Sequence, residues 1–299
     1  MEYEDFKGQL CAELADFYGE DAQVGIRRVE GNNGQGYDGL EIVLGGMGGL
    51  APVINTGKLY EEYHAGTMDM WGCIEAAYQM AEAFECPEGM RQLAEEIKDW
   101  DSVREDVYPI LLHTGQNRKM LQDMVSMPFM DLSIAYTVSR EMPGYGDCRV
   151  RISRVLLGGY GISSMELHRQ AMENMGKGGY HFQDIAGIIG DLMGIGKEGM
   201  HLPGQFPGTE MYVLTNRIKK YGAAGILDKK LVKDFAGGRD FFILPSSVNE
   251  VIFVPVSGSV GRDSLDRMVR EINEAEVPIE ERLSDHAYYY DAQADEIRM

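Results

Sequence analysis

Residues 240–256 read DFFILPSSVNEVIFVPV, and these residues decide the fold. Phe241–Leu244 and Val251–Val254 are short runs of aromatic and β-branched residues, which fit a pleated, half-buried surface. Each is too short for a helix and is bounded by turn chemistry, so both are predicted to be strands. Pro245 has no N–H to give a ladder and closes the first strand. Ser246, Ser247 and Asn249 have side chains that bond nearby backbone groups, which suits a turn. The stretch is therefore expected to form a buried hairpin. Its turn is also the first candidate binding site, because Ser246, Ser247, Asn249 and Glu250 group polar functions between two apolar strands. No G-x-S-x-G elbow surrounds the serines, and no catalytic nucleophile is assigned.

Outward from this hairpin, an order of strand, turn, strand, helix is expected at 130–175, at 211–236 and at 241–273. Each helix would cover one sheet face. The implied class is α+β, a mainly antiparallel sheet built from such units with helices packed on one face. Met211–Asn216 is predicted to be a strand, with Tyr221–Leu227 as its partner. Asp228 is expected to cap a helix through Phe235 that Gly237 ends. Ser163 and Glu166 form a capping box that opens a helix to Met175. Asp263 is expected to cap a helix from Ser264, and Ala287–Tyr290 to add an edge strand. Phe182, Ile185, Ile189 and Leu192 have helical spacing inside a Gly-rich stretch, 176–209, read as a lid-like segment.

The N-terminal half begins with an amphipathic helix over 3–18, with Phe6, Leu10, Leu14 and Phe17 on one face. Strands are expected at Gln23–Val29, at Leu40–Leu44 and within LAPVI. Helices follow at Lys58–Tyr63 and, capped by Thr67, at Met68–Phe84. The composition divides into an N-terminal α/β unit, 1–107, and a C-terminal α+β unit, 108–299.

The chain has 299 residues, 44% hydrophobic and 25% charged, with a net charge of -20. That acidity argues against nucleic acid or an anionic membrane as a partner, since both need clustered Lys and Arg. The N-terminus MEYEDFKGQL is acidic and lacks the apolar core of a signal peptide. No run reaches the length of a membrane span. The four cysteines, Cys11, Cys73, Cys86 and Cys148, have no C-x-x-C spacing and suggest a reducing, cytoplasmic setting.

GGMGGLA matches G-x-G-x-x-A through Gly46, Gly48 and Ala51, but no helix or later acidic residue follows as a dinucleotide site needs, so a tight turn is expected. Gly190–Lys197 has phosphate-loop residues at the wrong spacing, with Glu198 where Ser or Thr would meet magnesium. None of the six histidines, among them His168 and His286, has metal-ligand spacing. Asp285 and His286 are residue types that a serine triad uses, and with Ser246 they stand as low-specificity candidates. No cofactor and no metal are predicted.

The segments MYVLTN, YGAAGILDKKLVKDFA, ILPSSVNEVIFVP and MVREINEAEVPIEERLSDHAYYYD resemble an uncharacterised bacterial family of anaerobic gut Firmicutes, domain-of-unknown-function family 5688. DGLEIVL, LAPVINTGKLYEEYHAG, MDLSIAYTV and GISSMELHRQAMENM extend the resemblance over most of the chain. It implies a coherent fold in a bacterial cytosolic setting and no particular reaction. The expected function is that of a soluble, non-catalytic binding or interaction protein with a protein partner. The alternatives are an enzyme of unrecognised class with its site near the 245–250 turn, and a homo-oligomer that pairs through edge strands.

Overall fold

The computed structural model describes residues 1–45, 51–142, 144, 146–185, 210–245, 247–256 and 261–299. Residues 46–50, which hold the rest of GGMGG, the Gly190–Lys197 motif, Ser246 and residues 186–209 of the Gly-rich segment lie outside the described residues. The chain divides into two compact units, Met1–Glu96 and Ile97–Met299.

In the first unit α1 (Tyr3–Tyr18) precedes a three-stranded antiparallel sheet of β1 (Ala22–Glu30), β2 (Gly36–Leu44) and β3 (Val53–Asn55). Then come α2 (Thr56–Ala65), α3 (Met70–Glu82) and α4 (Glu88–Glu96). Phe6, Leu10 and Leu14 pack with Leu40, Ile42 and Ile54 of the sheet and with Leu59, Cys73 and Ala77 of the helices. The fourth residue of the α1 stripe is Tyr18, 8% exposed, while Phe17 is 63% exposed. Steps of four residues keep a stripe on one helix face, which carries 6–10–14 on to 18. The α3 cap also differs from expectation. Asp69 accepts from the Gly72 N–H at 2.8 Å, while the Thr67 hydroxyl donates to the Glu62 carbonyl at the end of α2, 2.8 Å.

Lys7 on α1 donates to Asp38 on β2, with Nζ and Oδ2 2.6 Å apart. This bond holds the Asp38 carboxyl below its ordinary range and, with Glu4 adding to it, raises Lys7. A lowered carboxylate pKa stabilises the fold above the unfolded value of about 3.9 and ceases to do so as pH falls through the folded value. The raised lysine acts below its unfolded value of about 10.4 and is lost as pH rises through the folded one. Asp38→Asn is therefore expected to lower the urea midpoint at neutral pH, and to match wild type once acid has protonated Asp38. A deficit that persists unchanged in acid would rule out the charge pair as its cause.

The second unit opens with α5 (Trp100–Val103) and holds two antiparallel sheets. In the four-stranded one, β6 (Leu132–Met142) is central. One edge of β6 pairs with β4 (Val107–His113), and the other carries β5 (Ser126–Phe129) and then β7 (Gly146–Arg151). Every residue from Leu132 to Val138 is buried, so this strand is covered on both faces. Between β4 and β5 lies α6 (Arg118–Asp123). After β7 come α7 (Arg154–Tyr160), capped by Ser153, and α8 (Ser164–Met175), capped by Ser163. The chain turns to helix straight after β7 because the Ser153 hydroxyl accepts from the Leu156 N–H and starts a helical turn.

The six-stranded sheet has the order β13-β12-β10-β11-β9-β8. Its strands are β8 (His181–Asp184), β9 (Tyr212–Thr215), β10 (Phe241–Leu244), β11 (Val251–Pro255), β12 (Tyr288–Asp291) and β13 (Glu296–Arg298). The hairpin of 240–256 supplies the two central strands, with Phe242 opposite Val254 and Ile243 opposite Phe253. All four residues of β10 are buried, because both faces are covered. On one face Phe242, Leu244 and Val254 pack on Leu265 and Val269 of α10 (Arg262–Ala275). On the other, Phe241 and Phe253 meet Phe235 of α9 (Lys229–Ala236). The antiparallel α+β class stands, with helices on both faces of this sheet where one was expected.

Four further assignments change. Residues 181–184 are strand rather than helix, paired with β9. Residues 222–227 form a buried 3-10 turn, not the partner of β9, whose neighbours are β11 and β8. A Cβ on Gly222 would meet the Asn249 carbonyl and the Thr215 hydroxyl at 2.5 Å, so the small residues of YGAAG let backbone wedge against the sheet. β12 is internal, with β13 outside it. Residues 97–107, assigned by sequence to the first unit, pack with the second. There Asn174 donates to the Arg104 and Val107 carbonyls at 2.7 and 2.9 Å, and Arg140 pairs with Asp106 at 2.6 Å.

Candidate functional site

Five parts of the second unit line an open cavity of about 650 Å³. The end of β5 and β6 supply Phe129 and Ile134, and α8 supplies Met172 and Met175. The 222–227 turn supplies Ile226, the start of α9 supplies Lys229 and Val232, and β12–β13 supply Tyr290, Asp295 and Ile297. Met172 and Met175 lie three apart on one face of α8. The buried 3-10 turn presents Ile226 where an extended strand would carry it away.

His168 is the imidazole in this wall. Its Nδ1 lies 2.9 Å from the hydroxyl of Tyr136, a side chain with no exposed surface. Burial pushes the Tyr136 phenol above its ordinary range, so its hydroxyl stays protonated. A buried hydroxyl needs an acceptor. We therefore assign Tyr136 as donor and Nδ1 as acceptor, which leaves the His168 proton on Nε2.

The mouth of the cavity is charged. Asp295 accepts from the Tyr290 hydroxyl at 2.8 Å and from Lys233 at 3.1 Å. These bonds, Tyr290 first, hold the Asp295 carboxyl below its ordinary range. Burial, with the same bond, pushes Tyr290 up to about 12. Asp228 is occupied as the α9 cap, accepting from the Leu231 N–H at 3.0 Å. Chemically the site offers apolar walls, one imidazole donor and a rim of both charge signs. Among the described residues no group of three or more His, Cys, Asp or Glu is placed to hold a metal ion.

The residues singled out from sequence lie elsewhere in this unit. The 245–248 segment runs beside 281–284: the Ser284 N–H donates to the Pro245 carbonyl at 2.9 Å, and the Val248 N–H to Glu281 at 2.8 Å. Ser247 forms an isolated bridge with Arg282. Its hydroxyl accepts from the Asn249 N–H at 3.0 Å, and the Asn249 side chain accepts from the Tyr221 N–H at 3.1 Å. Glu250 is exposed overall, yet desolvation raises its carboxyl, with Lys219 opposing and Glu281 adding. Asp285 accepts from Asn273 at 2.7 Å. His286 is exposed, and its backbone N–H donates to Ser284 at 3.3 Å. The fold thus brings the two candidate segments side by side. Ser247 bonds the Asn249 backbone, the Asn249 and Asp285 side chains bond Tyr221 and Asn273, and Ser246 lies outside the described residues.

Fold and cavity together define an α+β protein of antiparallel sheets with an apolar-walled chamber in its second unit. The family described as "Family of unknown function (DUF5688)" matches residues 3–292, and the chain belongs to it. No curated protein and no solved structure matches the chain. Among the described residues no helix is long and apolar enough to cross a membrane.

Proposed function

We propose that this is a non-catalytic binding protein whose second unit takes a small organic ligand with an apolar body and one hydrogen-bonding group. The observation that carries the reading is the 650 Å³ cavity walled by Phe129, Ile134, Met172, Met175, Ile226 and Val232. Ligand sites span roughly 300–1,000 Å³ and combine apolar walls with few polar groups. His168 supplies the polar group, its tautomer set by Tyr136. The two methionines are unbranched and polarizable, which suits a wall that adapts to its occupant. The four free thiols support a reducing, cytoplasmic setting, and burial raises Cys11, Cys73 and Cys148, which makes them poor nucleophiles.

The test is a cavity-filling substitution. The aromatic dye 1-anilinonaphthalene-8-sulfonate is expected to bind the wild type saturably at one site. Met172→Trp adds bulk at a partly exposed wall position and is expected to weaken that binding about tenfold, which is about 1.4 kcal/mol, with the melting temperature held. Equal binding in both proteins, or none in the wild type, would overturn the reading.

A further inference from the structure

The second unit has another concavity, of about 190 Å³, whose chemistry is the reverse of the first. Arg140, Arg149, Lys177, Arg217 and Lys220 line it, in a chain whose net charge is -20. Asp106, Glu141 and Asp147 line it too, so its charge is decided by which groups pair. Arg140 pairs with Asp106, Arg149 with Asp147, and Lys177 with Glu105. Those pairs fix three cations to the walls. Arg217 is 76% exposed at its side chain and only 3.7 Å from Glu141. Among the described residues Lys220 has no carboxylate within ion-pair distance.

The loop that presents these last two cations is held in one shape. Lys219 and Tyr221 are both in the left-handed region, at φ 53 and 54, where residues other than glycine are uncommon. The Asn216 side chain clamps the loop by accepting from the Lys220 N–H at 3.2 Å and donating to its carbonyl at 2.8 Å. Asn249 holds the Tyr221 N–H. Arg149 lies 4.8 Å over the Tyr221 ring and donates to the Lys220 carbonyl at 3.3 Å, so the guanidinium fork is positioned before any ligand arrives. Uncommon backbone held by several bonds is a mark of functional sites. Tyr108 and Tyr180 also line the cleft. Burial raises both phenols, Tyr180 to about 12, so both remain hydroxyl donors.

We propose that this cleft binds a phosphate monoester, with Arg217 and Lys220 closing on the phosphate, Arg149 and the tyrosine hydroxyls donating to it, and the Tyr221 ring beside its organic group. Two oxygens of a phosphate match the paired N–H groups of a guanidinium, and several cations favour a dianion over a monoanion. The volume suits a small ester and not a nucleotide. The proposal is independent of the apolar cavity, with which this cleft shares no lining residue.

The test uses the full chain, with phenyl phosphate as the probe and acetate as the monoanion control, followed by amide NMR at low ionic strength. Phenyl phosphate is expected to shift the Gly178, Arg217 and Tyr221 amides saturably, and added salt to weaken it. Arg217→Gln combined with Lys220→Gln changes two exposed side chains and is expected to weaken binding about tenfold. Arg149→Lys, which keeps the charge and loses the fork, is expected to weaken it as well. Acetate binding as tightly as phenyl phosphate would overturn the proposal. So would shifts confined to other residues, an affinity unchanged in the double variant, or no saturable shift at all.

Discussion

Phe253→Ala is expected to destabilise the second unit by about 3–5 kcal/mol, the range for removing a fully buried aromatic side chain. Phe253 has no exposed surface. Its ring meets Phe182 at 4.9 Å and 87°, Phe235 at 5.8 Å and 85°, and Phe241 at 5.9 Å and 60°. Edge-to-face pairs of this kind add about 0.5–1.5 kcal/mol each beyond burial. The ring also joins three elements, since Phe182 belongs to β8 at the sheet edge, Phe235 to α9 and Phe241 to the adjacent central strand. Few of these neighbours can relax into the void without losing another contact. Urea unfolding followed by tyrosine fluorescence measures the loss. A change under about 1 kcal/mol, the scale of a surface substitution, would show that this cluster does not hold the sheet.

The second large effect is expected from Asp131→Ala, at about 3 kcal/mol, since two buried donors are left without an acceptor. Asp131 follows Met130, which takes a left-handed φ of 56 in the tight turn joining β5 to β6. That turn aims the carboxylate at the six-stranded sheet. Its Oδ1 accepts from the Tyr288 hydroxyl at 2.5 Å and its Oδ2 from the Ser284 hydroxyl at 2.8 Å. Tyr288 and Ser284 are both buried, so water does not readily replace the lost acceptor. Tyr288→Phe removes one donor and leaves the partly exposed carboxylate to solvent, so a smaller loss of about 1 kcal/mol is expected. Equal losses in the two variants would mean that the Tyr288 bond carries the whole effect and that the Ser284 bond adds nothing.

Much of this fold is legible in the chain because its signals are local. Ser163, Asp228 and Gly237 act as caps where their chemistry says they should, and the 240–256 hairpin pairs in the expected antiparallel sense. Misreadings arise where the decisive contact is remote. YGAAGIL reads as a strand by composition, but glycine and alanine there are chosen by the sheet backbone and Tyr180 pressing on them. Phe182 has helical spacing to later residues, yet its ring stacks on Phe235 at 3.6 Å, and only pairing with β9 sets that geometry. Ser126–Phe129 contains Pro128, which weakens any strand signal, and an edge position beside β6 tolerates it.

The cavity was the least legible feature. Its walls come from residues as distant as Phe129 and Ile297, and no spacing rule joins them. His168 carried a faint signal, being a polar ring next to Leu167, which the α8 helix buries completely. Its partner Tyr136 lies in the middle of the apolar run LSIAYTV, where a tyrosine hydroxyl must find an acceptor. The polar turn at 245–250 was easier to notice because its residues are neighbours in sequence. The Ser247 and Asn249 side chains there bond the backbone of their own and adjoining segments.

The most direct test of the binding account follows the methionine methyl groups by NMR while 1-anilinonaphthalene-8-sulfonate is added. The Met172 and Met175 signals are expected to move together and saturate at one equivalent, while those of Met120 in α6 and Met124 just after it, both buried, stay in place. Saturation with Met172 and Met175 unmoved would contradict it.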